Sequence, residues 1–317
     1  MIEYRWFQNS DPPQLARIWN SRLPLATRLP ALNARLLDET ALARLYFDPA
    51  GLCVAAADGR AVGFAHAGFG PSPDGARLDP ARGCVSVVAV EPLPFASEVA
   101  AELIARCEAY LRDRGTRTVF AGGPGPVDPF YLGLYGGSRG EGVPAEDADA
   151  VAWFRSAGFL ERGRRSVLQK SLRGYRTPTD RTHLQWQRAT AIDRRSDLAA
   201  DSWWDACSLA QRERLQFRLA ARPPAPRKAD VLVWDVQPLA DASGQRMAGL
   251  IGWNCDEQAW TDGLMRYLLA DTLRRLLENG VTLVEAQVGS EDRALDELLH
   301  ALGFQPVTEK ILLVKDL

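Results

Sequence analysis

The chain is poor in metal-binding side chains. Its three histidines lie far apart, and its five cysteines (Cys53, Cys84, Cys107, Cys207 and Cys255) are odd in number and lack metal-ligand spacing. Zinc chemistry and a disulfide framework are therefore not expected. Net charge is also lacking: 38 Lys and Arg against 40 Asp and Glu leave −2, with the arginines dispersed. No basic field marks a nucleic-acid partner. Apolar runs fall far short of the roughly 20 residues that span a bilayer. The opening MIEYRWFQNSDPP has no basic region followed by an apolar stretch, so a secretory signal is not expected either. These absences point to a cytoplasmic protein with no metal, nucleic-acid or membrane partner.

What is present is a globular composition, 46% hydrophobic and 25% charged, with nine tryptophans over 317 residues. That length suits two ordinary domains, because single cores rarely grow beyond about 250–300 residues. Residues 2–7 alternate as a half-buried strand. Asp11-Pro12-Pro13 starts a helix carrying Leu15, Ile18 and Trp19, and a second helix is predicted over 38–47. Asp58-Gly59 joins strands 52–57 and 61–69 in a hairpin. A loop over 70–83 precedes the buried strand 84–90. Helix 97–114 has an apolar stripe of Ala100, Leu103, Ile104, Cys107 and Leu111 and stops at Gly115. Strand 116–121, helix 147–157 and strand 159–172 complete the first half.

Residues 173–182 are polar and aperiodic, and read as a linker between domains 1–172 and 183–317. After it, Leu184 and Trp186 suggest a strand, and 193–221 suggests a helical region. Strands are predicted over 231–236 and 247–254. The two halves then repeat. Strand, helix 97–114, Gly115, strand 116–121, helix and Ala157-Gly158-Phe159 match strand, helix 263–279, Gly280, strand 281–288, helix 292–302 and Leu302-Gly303-Phe304. A two-fold repeat at this length indicates duplicated domains rather than a solenoid. The first copy carries an insertion rich in glycine and aromatics near 123–146.

A strand that runs through a loop into a helix N-terminus is a natural phosphate cradle, because free N–H groups and the helix dipole face the same point. Followed by a further strand and a short helix ending in Gly-Phe, this order resembles the GNAT acetyltransferase superfamily in its tandem form. The resemblance implies an α/β fold of α+β type, with two domains, each a mixed, mostly antiparallel sheet flanked by helices. It also implies a loop of pattern Arg/Gln-x-x-Gly-x-Gly/Ala whose amides hold the pyrophosphate of acetyl-CoA, and a next strand that splays to admit the pantetheine arm.

In the first half, Val88 and Val90 fall at the strand end, and Ala96, Ser97, Val99 and Ala100 in the cradle. Phe95 replaces the basic residue there, and Glu98 stands where glycine is expected. In the second half, Trp253 and Cys255 end the strand, and Thr261, Gly263, Leu264 and Met265 form the cradle. The tyrosine that often protonates the leaving thiolate is replaced by Phe154 and by Leu299. The resemblance implies acetyl-CoA as acyl donor and an amine as acceptor, and places the aromatic insertion beside the acyl-transfer centre, where Tyr131 and Tyr135 would line an acceptor pocket or replace the missing acid, Tyr135 being the candidate for turnover; Glu91, at the end of the central strand, is a candidate base. It leaves a homo-oligomer open. The rival reading is a pseudoenzyme that keeps the fold as an acyl-CoA-binding or interaction module. His66, in a strand, reads as a packing residue, and Trp203-Trp204 as core or interface. Gly122-Gly123-Pro124-Gly125 lacks the Gly-Lys-Ser/Thr of a P-loop.

Overall fold

The computed structural model describes residues 1–22, 32–122, 129–137, 141–209, 212–221, 229–236 and 245–317. They form two compact units. The first comprises Met1–Ser166, Asp201–Leu209 and Thr308–Leu317, and the second Val167–Ala200 and Ala210–Val307. This differs from a division at 173–182: residues 167–172 lie with the second unit, and 201–209 and 308–317 with the first.

The sheet of the first unit runs β1 (Ile2–Trp6), β2 (Leu52–Ala57), β3 (Arg60–Pro71), β4 (Leu78–Val90), β5 (Thr118–Ala121) and then the last strand of the chain, β13 (Gln305–Asp316). All neighbours are antiparallel except β4 and β5, which are parallel. The hairpin arms are longer than the sequence suggested, and β3 and β4 occupy most of the stretch read as loop. Residues 84–90 are buried throughout because helices cover both faces of β4. One face holds α3 (Ala96–Arg112), whose predicted stripe is fully buried. The other holds α1 (Pro12–Ser21). The second helix, α2 (Ala34–Leu37), starts earlier than expected because Asn33 caps it by accepting from the Leu36 N–H. It continues as a π turn to Leu42 and goes no further.

β13 completes this core. Leu313 pairs with Ala121, and Ile311 and Leu313 are buried with the first-half residues. Lys315 donates to both Glu108 oxygens at 2.7 and 2.8 Å and to Ala157 O at 2.7 Å. The short β6 (Val143–Pro144) also pairs with it, and α4 (Ala148–Ser156), capped by Asp147, packs on α3.

The sheet of the second unit runs β8 (Thr190–Arg195), β9 (Arg214–Ala221), β10 (Ala229–Asp235), β11 (Met247–Cys255), β12 (Leu283–Gly289) and residues 167–171 of β7 (Leu160–Ser171). The β8–β9, β9–β10 and β10–β11 pairs are antiparallel, and β11–β12 is parallel. Two expectations are corrected here. Leu184 and Trp186 lie in α5 (Arg181–Ala189), because Asp180 accepts from the His183 N–H and starts a helix. Residues 193–221 are not one helical region: they hold the end of β8, α6 (Trp203–Leu209) and β9, whose Leu215, Phe217 and Leu219 alternate into the core.

The internal repeat is present in detail. Each unit has a parallel strand pair joined by a helix, β4–α3–β5 and β11–α8–β12, once α7 (Glu257–Thr261) and α8 (Leu264–Glu278) are counted. Gly115 and Gly280 follow those helices at φ +85° and +84°. Gly158 and Gly303 follow α4 and α9 (Arg293–Ala301) at +90° and +84°. The next residues, Phe159 and Phe304, donate to Phe154 O and Leu299 O, each at 3.0 Å. The left-handed conformation closes the helix and favours glycine, which has no Cβ to clash.

Candidate acyl-CoA site

In both units the parallel strands part. β5 pairs with β4 only from Arg82 to Val85, and Gly122 N–H closes on Val85 O at 2.9 Å. β4 continues to Val90, and among the described residues no strand pairs with its far edge over 86–90. β12 likewise pairs with β11 only from Met247 to Leu250, leaving the rest of β11 to Cys255 without β12 beside it. Val88, Val90, Trp253 and Cys255 thus lie on the parted stretches. Their side chains face inward, with Val88 and Val90 in the first core and Trp253 and Cys255 packed against the second. Val88 and Val90, both buried, therefore offer a ligand in the opening only their backbones.

The cradles differ. In the first unit α3 begins at Ala96 without a side-chain cap. Ala96 N–H is taken by Leu93 O, and Val99 N–H by Phe95 O. Among the described residues no acceptor takes the N–H groups of Ser97 and Glu98, both of which are exposed. Val99 and Ala100 are buried and anchor the turn. Trp153 Nε1 donates to Ser97 Oγ at 3.3 Å, and Phe95 remains exposed beside it. An uncapped, solvent-facing N-terminus is a site for anionic oxygen, apart from the Glu98 carboxylate in its first turn.

In the second unit the chain has filled the same place itself. Residues up to Thr261 form α7, and Gly263 turns the chain at φ +77° into α8. Asp262 Oδ1 takes the Leu264 N–H at 3.1 Å, where an anion would otherwise bind. Trp186 Nε1 donates to Asp262 O at 3.0 Å, Asp180 pairs with Arg266 at 2.7 Å, and Thr182 lies 3.0 Å from where a Cβ on Gly263 would stand. Leu264 and Met265 are fully buried, while Thr261 is exposed. Gly263→Ala is expected to cost about 1–2 kcal/mol from the left-handed φ alone, read as a lower denaturation midpoint of the second unit.

On the face of the first sheet away from α3 lies an aromatic cluster. His66 Nδ1 meets Tyr131 Oη at 2.8 Å, Phe130 stacks on the imidazole at 4.1 Å, and Phe47 abuts it edge-on. Trp19 stacks on Tyr131 and lies 4.9 Å from the Tyr135 ring. Tyr135 is half-buried, and its carbonyl accepts from the buried Lys310 of β13 at 2.8 Å. α6 adds Trp204 against Tyr46 at 4.7 Å, leaving Trp203 exposed. Trp204 thus packs, half-buried, on the first unit rather than in a core of the second half. Burial holds the His66 pKa down to about 3 and pushes that of Tyr131 well up. The sequence singled out His66 and Tyr131 separately, but nothing in it joins the two, which are 65 residues apart.

Glu91 sits where β4 ends, but both its oxygens are engaged by Arg60 at 2.9 and 3.0 Å, and Arg17 also bonds Oε1. A carboxylate held by two guanidiniums has its lone pairs committed, which suits anchoring of α1 to the strand end. Phe154 and Leu299, at the tyrosine positions of the resemblance, are buried in their cores. A pocket of 530 Å³ runs along α4 between Ala148, Val151, Ala152 and Ile311, but its two arginines, Arg155 and Arg164, are both paired with Glu161. Among the described residues no cluster of His, Cys, Asp and Glu has metal-binding geometry, and no helix is long and apolar enough to cross a membrane.

No protein-family model matches the chain, and no curated protein matches it. Solved structures do. A tandem GNAT protein from the clavulanic acid biosynthesis pathway aligns over 100% of this chain and 98% of its own, with a TM-score of 0.66 at 15% identity. The chain has the tandem GNAT fold. A GCN5-related N-acetyltransferase from Sphaerobacter thermophilus gives 0.59 at 15% identity, over 99% of this chain and 95% of its own. The GCN5-related glucosamine N-acetyltransferase region of a fungal multi-domain β-N-acetylglucosaminidase gives 0.70 at 15% identity; 99% of this chain aligns, spanning 38% of that protein. At such identities the likeness is one of fold.

Proposed function

We propose that the chain is an acyl-CoA-dependent acyltransferase whose first unit binds acetyl-CoA and passes the acetyl group to an amine. The observation that carries this reading is the pairing of an uncapped, exposed α3 N-terminus with the free edge of β4 in one unit. Ser97 and Glu98 would offer amides to the pyrophosphate, and the 86–90 backbone would line the acyl arm. The amine nitrogen attacks the thioester carbon directly, and holding both reactants in one opening supplies much of the rate. The acceptor side would be the aromatic face carrying Trp19 and Tyr135. The neighbour described as a glucosamine N-acetyltransferase supports an amine as the acceptor class. The second unit fits the rival reading of a retained scaffold, because Asp262 and α5 occupy its own cradle.

Titration calorimetry with acetyl-CoA tests both statements. Glu98→Lys reverses a charge in the first turn of α3 and is expected to tighten binding about two- to fivefold, following the ~0.3–1 kcal/mol of a charge at a helix terminus. Thr261→Glu, at the exposed edge of the second cradle, is expected to leave binding unchanged. The opposite pattern would move the site to the second unit. No saturable heat up to millimolar ligand, about −4 kcal/mol, would refute acetyl-CoA binding altogether.

A further inference from the structure

The hydrogen bonds of the His66–Tyr131 pair do not close. His66 is fully buried and pairs across the β3–β4 ladder with Val87, level with the stretch of β4 that β5 has left. Its Nδ1 is bonded to Tyr131 Oη, and its Nε2 is buried with no partner among the described residues. With the histidine pKa near 3 and that of the tyrosine raised, both groups are uncharged at neutral pH. The pair then owns two donor protons, one N–H and one O–H. A single internal bond uses one of them. If Tyr131 donates to Nδ1, the Nε2–H is left over; if Nδ1–H donates to Oη, the phenolic proton is left over. A buried donor without an acceptor costs about 1–3 kcal/mol.

The arrangement is also built at a cost. Tyr131 takes φ +63°, a left-handed conformation unfavourable for a bulky residue. It is held there by its own N–H on Thr40 O at 3.1 Å and by the Tyr46 hydroxyl on Pro129 O at 2.7 Å. The loop is thus tied from both sides so that the phenol reaches the imidazole. The rings packed on the pair, Phe47, Phe130 and Trp19, carry no hydrogen-bond acceptor of their own.

We propose that the His66–Tyr131 pair is an oxyanion donor, its uncommitted proton facing the carbonyl oxygen of a thioester bound in the β4–β5 opening. This rests on the acyl-transfer reading. As the amine nitrogen bonds to the acyl carbon, the carbonyl π electrons move onto oxygen, which takes the hydrogen bond. They return as the carbon–sulfur bond breaks and sulfur leaves with the bonding pair. The nitrogen gives its proton to water and the thiolate takes one from water, so the pair lends a hydrogen bond and ends unchanged.

The test uses full-length protein with ¹⁵N-labelled histidine, titrated with acetyl-CoA and separately with coenzyme A, which lacks the acyl carbonyl. Acetyl-CoA is expected to shift a ring nitrogen of His66, and coenzyme A is not. Tyr131→Phe, which removes only the hydroxyl, and His66→Phe are each expected to lower kcat about 10²–10³-fold, the usual effect of losing one such donor. KM for acetyl-CoA should change little, and the double variant should be no slower than either single one. Wild-type binding of acetyl-CoA with unmoved His66 nitrogens, or Tyr131→Phe with kcat within threefold, overturns the proposal while leaving acyl transfer standing. A ring shift of equal size with coenzyme A would assign the spare proton to a trapped water, and also overturns it. Absence of any acetyl-CoA binding removes both readings together.

Discussion

A fragment ending at Leu172 is expected to show no cooperative unfolding transition. The sequence alone suggests such a fragment as the first domain, but the first unit takes the strand beside β5 from residues 308–317. Without them β5 loses the partner that pairs Leu313 with Ala121 and Val314 with Phe120. The core loses Ile311 and Leu313, both buried. Losing a buried Leu or Ile side chain costs about 2–5 kcal/mol each, and a domain is stable by only about 5–15 kcal/mol. Glu108 would in addition be left buried without the Lys315 ammonium that bonds both its oxygens. Circular dichroism against urea reads the outcome. A sharp transition in the 1–172 fragment, comparable to that of the full chain, would show that β13 is dispensable.

The second large effect is on pH. His66 is uncharged in the folded state down to about pH 3, whereas an unfolded histidine protonates near 6.5. Its folded pKa is lowered, so below 6.5 the unfolded chain binds a proton that the folded chain refuses. Stability is therefore full above pH 6.5 and is lost as pH falls toward 3. The slope is about 1.4 kcal/mol per pH unit over that window. Carboxylates also titrate there, so the measurement is a difference between wild type and His66→Leu. Urea midpoints at pH 7, 6 and 5 should fall more steeply for wild type, and the two proteins should converge as the medium is acidified. Parallel slopes would mean that His66 is protonated in the folded protein.

Much of the fold was legible because it rests on local signals. The stripe of α3, Asp58-Gly59 and the glycines after four helices each dictate a local conformation, and each holds in the structure. The misreadings came where two signals compete over a short stretch. Leu184 and Trp186 alternate like a strand, but the Asp180 cap and the inward His183 make a helix. Leu215, Phe217 and Leu219 carried the period of two that defines β9, in a stretch taken as helical from its neighbours. The origin of the last strand in each sheet is a choice between segments of similar pattern, and periodicity does not distinguish them.

The site was less legible. The cradles were found from element order, because backbone amides at a helix start need no particular side chain. Their difference was not visible in the motif. Gly263 favours the second cradle by pattern, yet Trp186, Thr182 and Asp180, some 80 residues earlier, close over it. Glu91 looked free at a strand end and is bound by two arginines distant in sequence. The His66–Tyr131 bond likewise joins residues that nothing local connects.

The borrowed strand β13 also sets a timetable for synthesis. The first unit cannot close until its final ten residues leave the ribosome, about 150 residues after Ser166 has been made. At about 5–20 residues per second, the nascent first half waits roughly 8–30 s with the edge of β5 bare and the places of Ile311 and Leu313 empty. An exposed strand edge beside uncovered apolar surface is what chaperones bind and what neighbouring nascent chains pair with. Yield in cells should then depend on chaperone supply and on translation speed through the second half, even with the finished protein's stability unchanged.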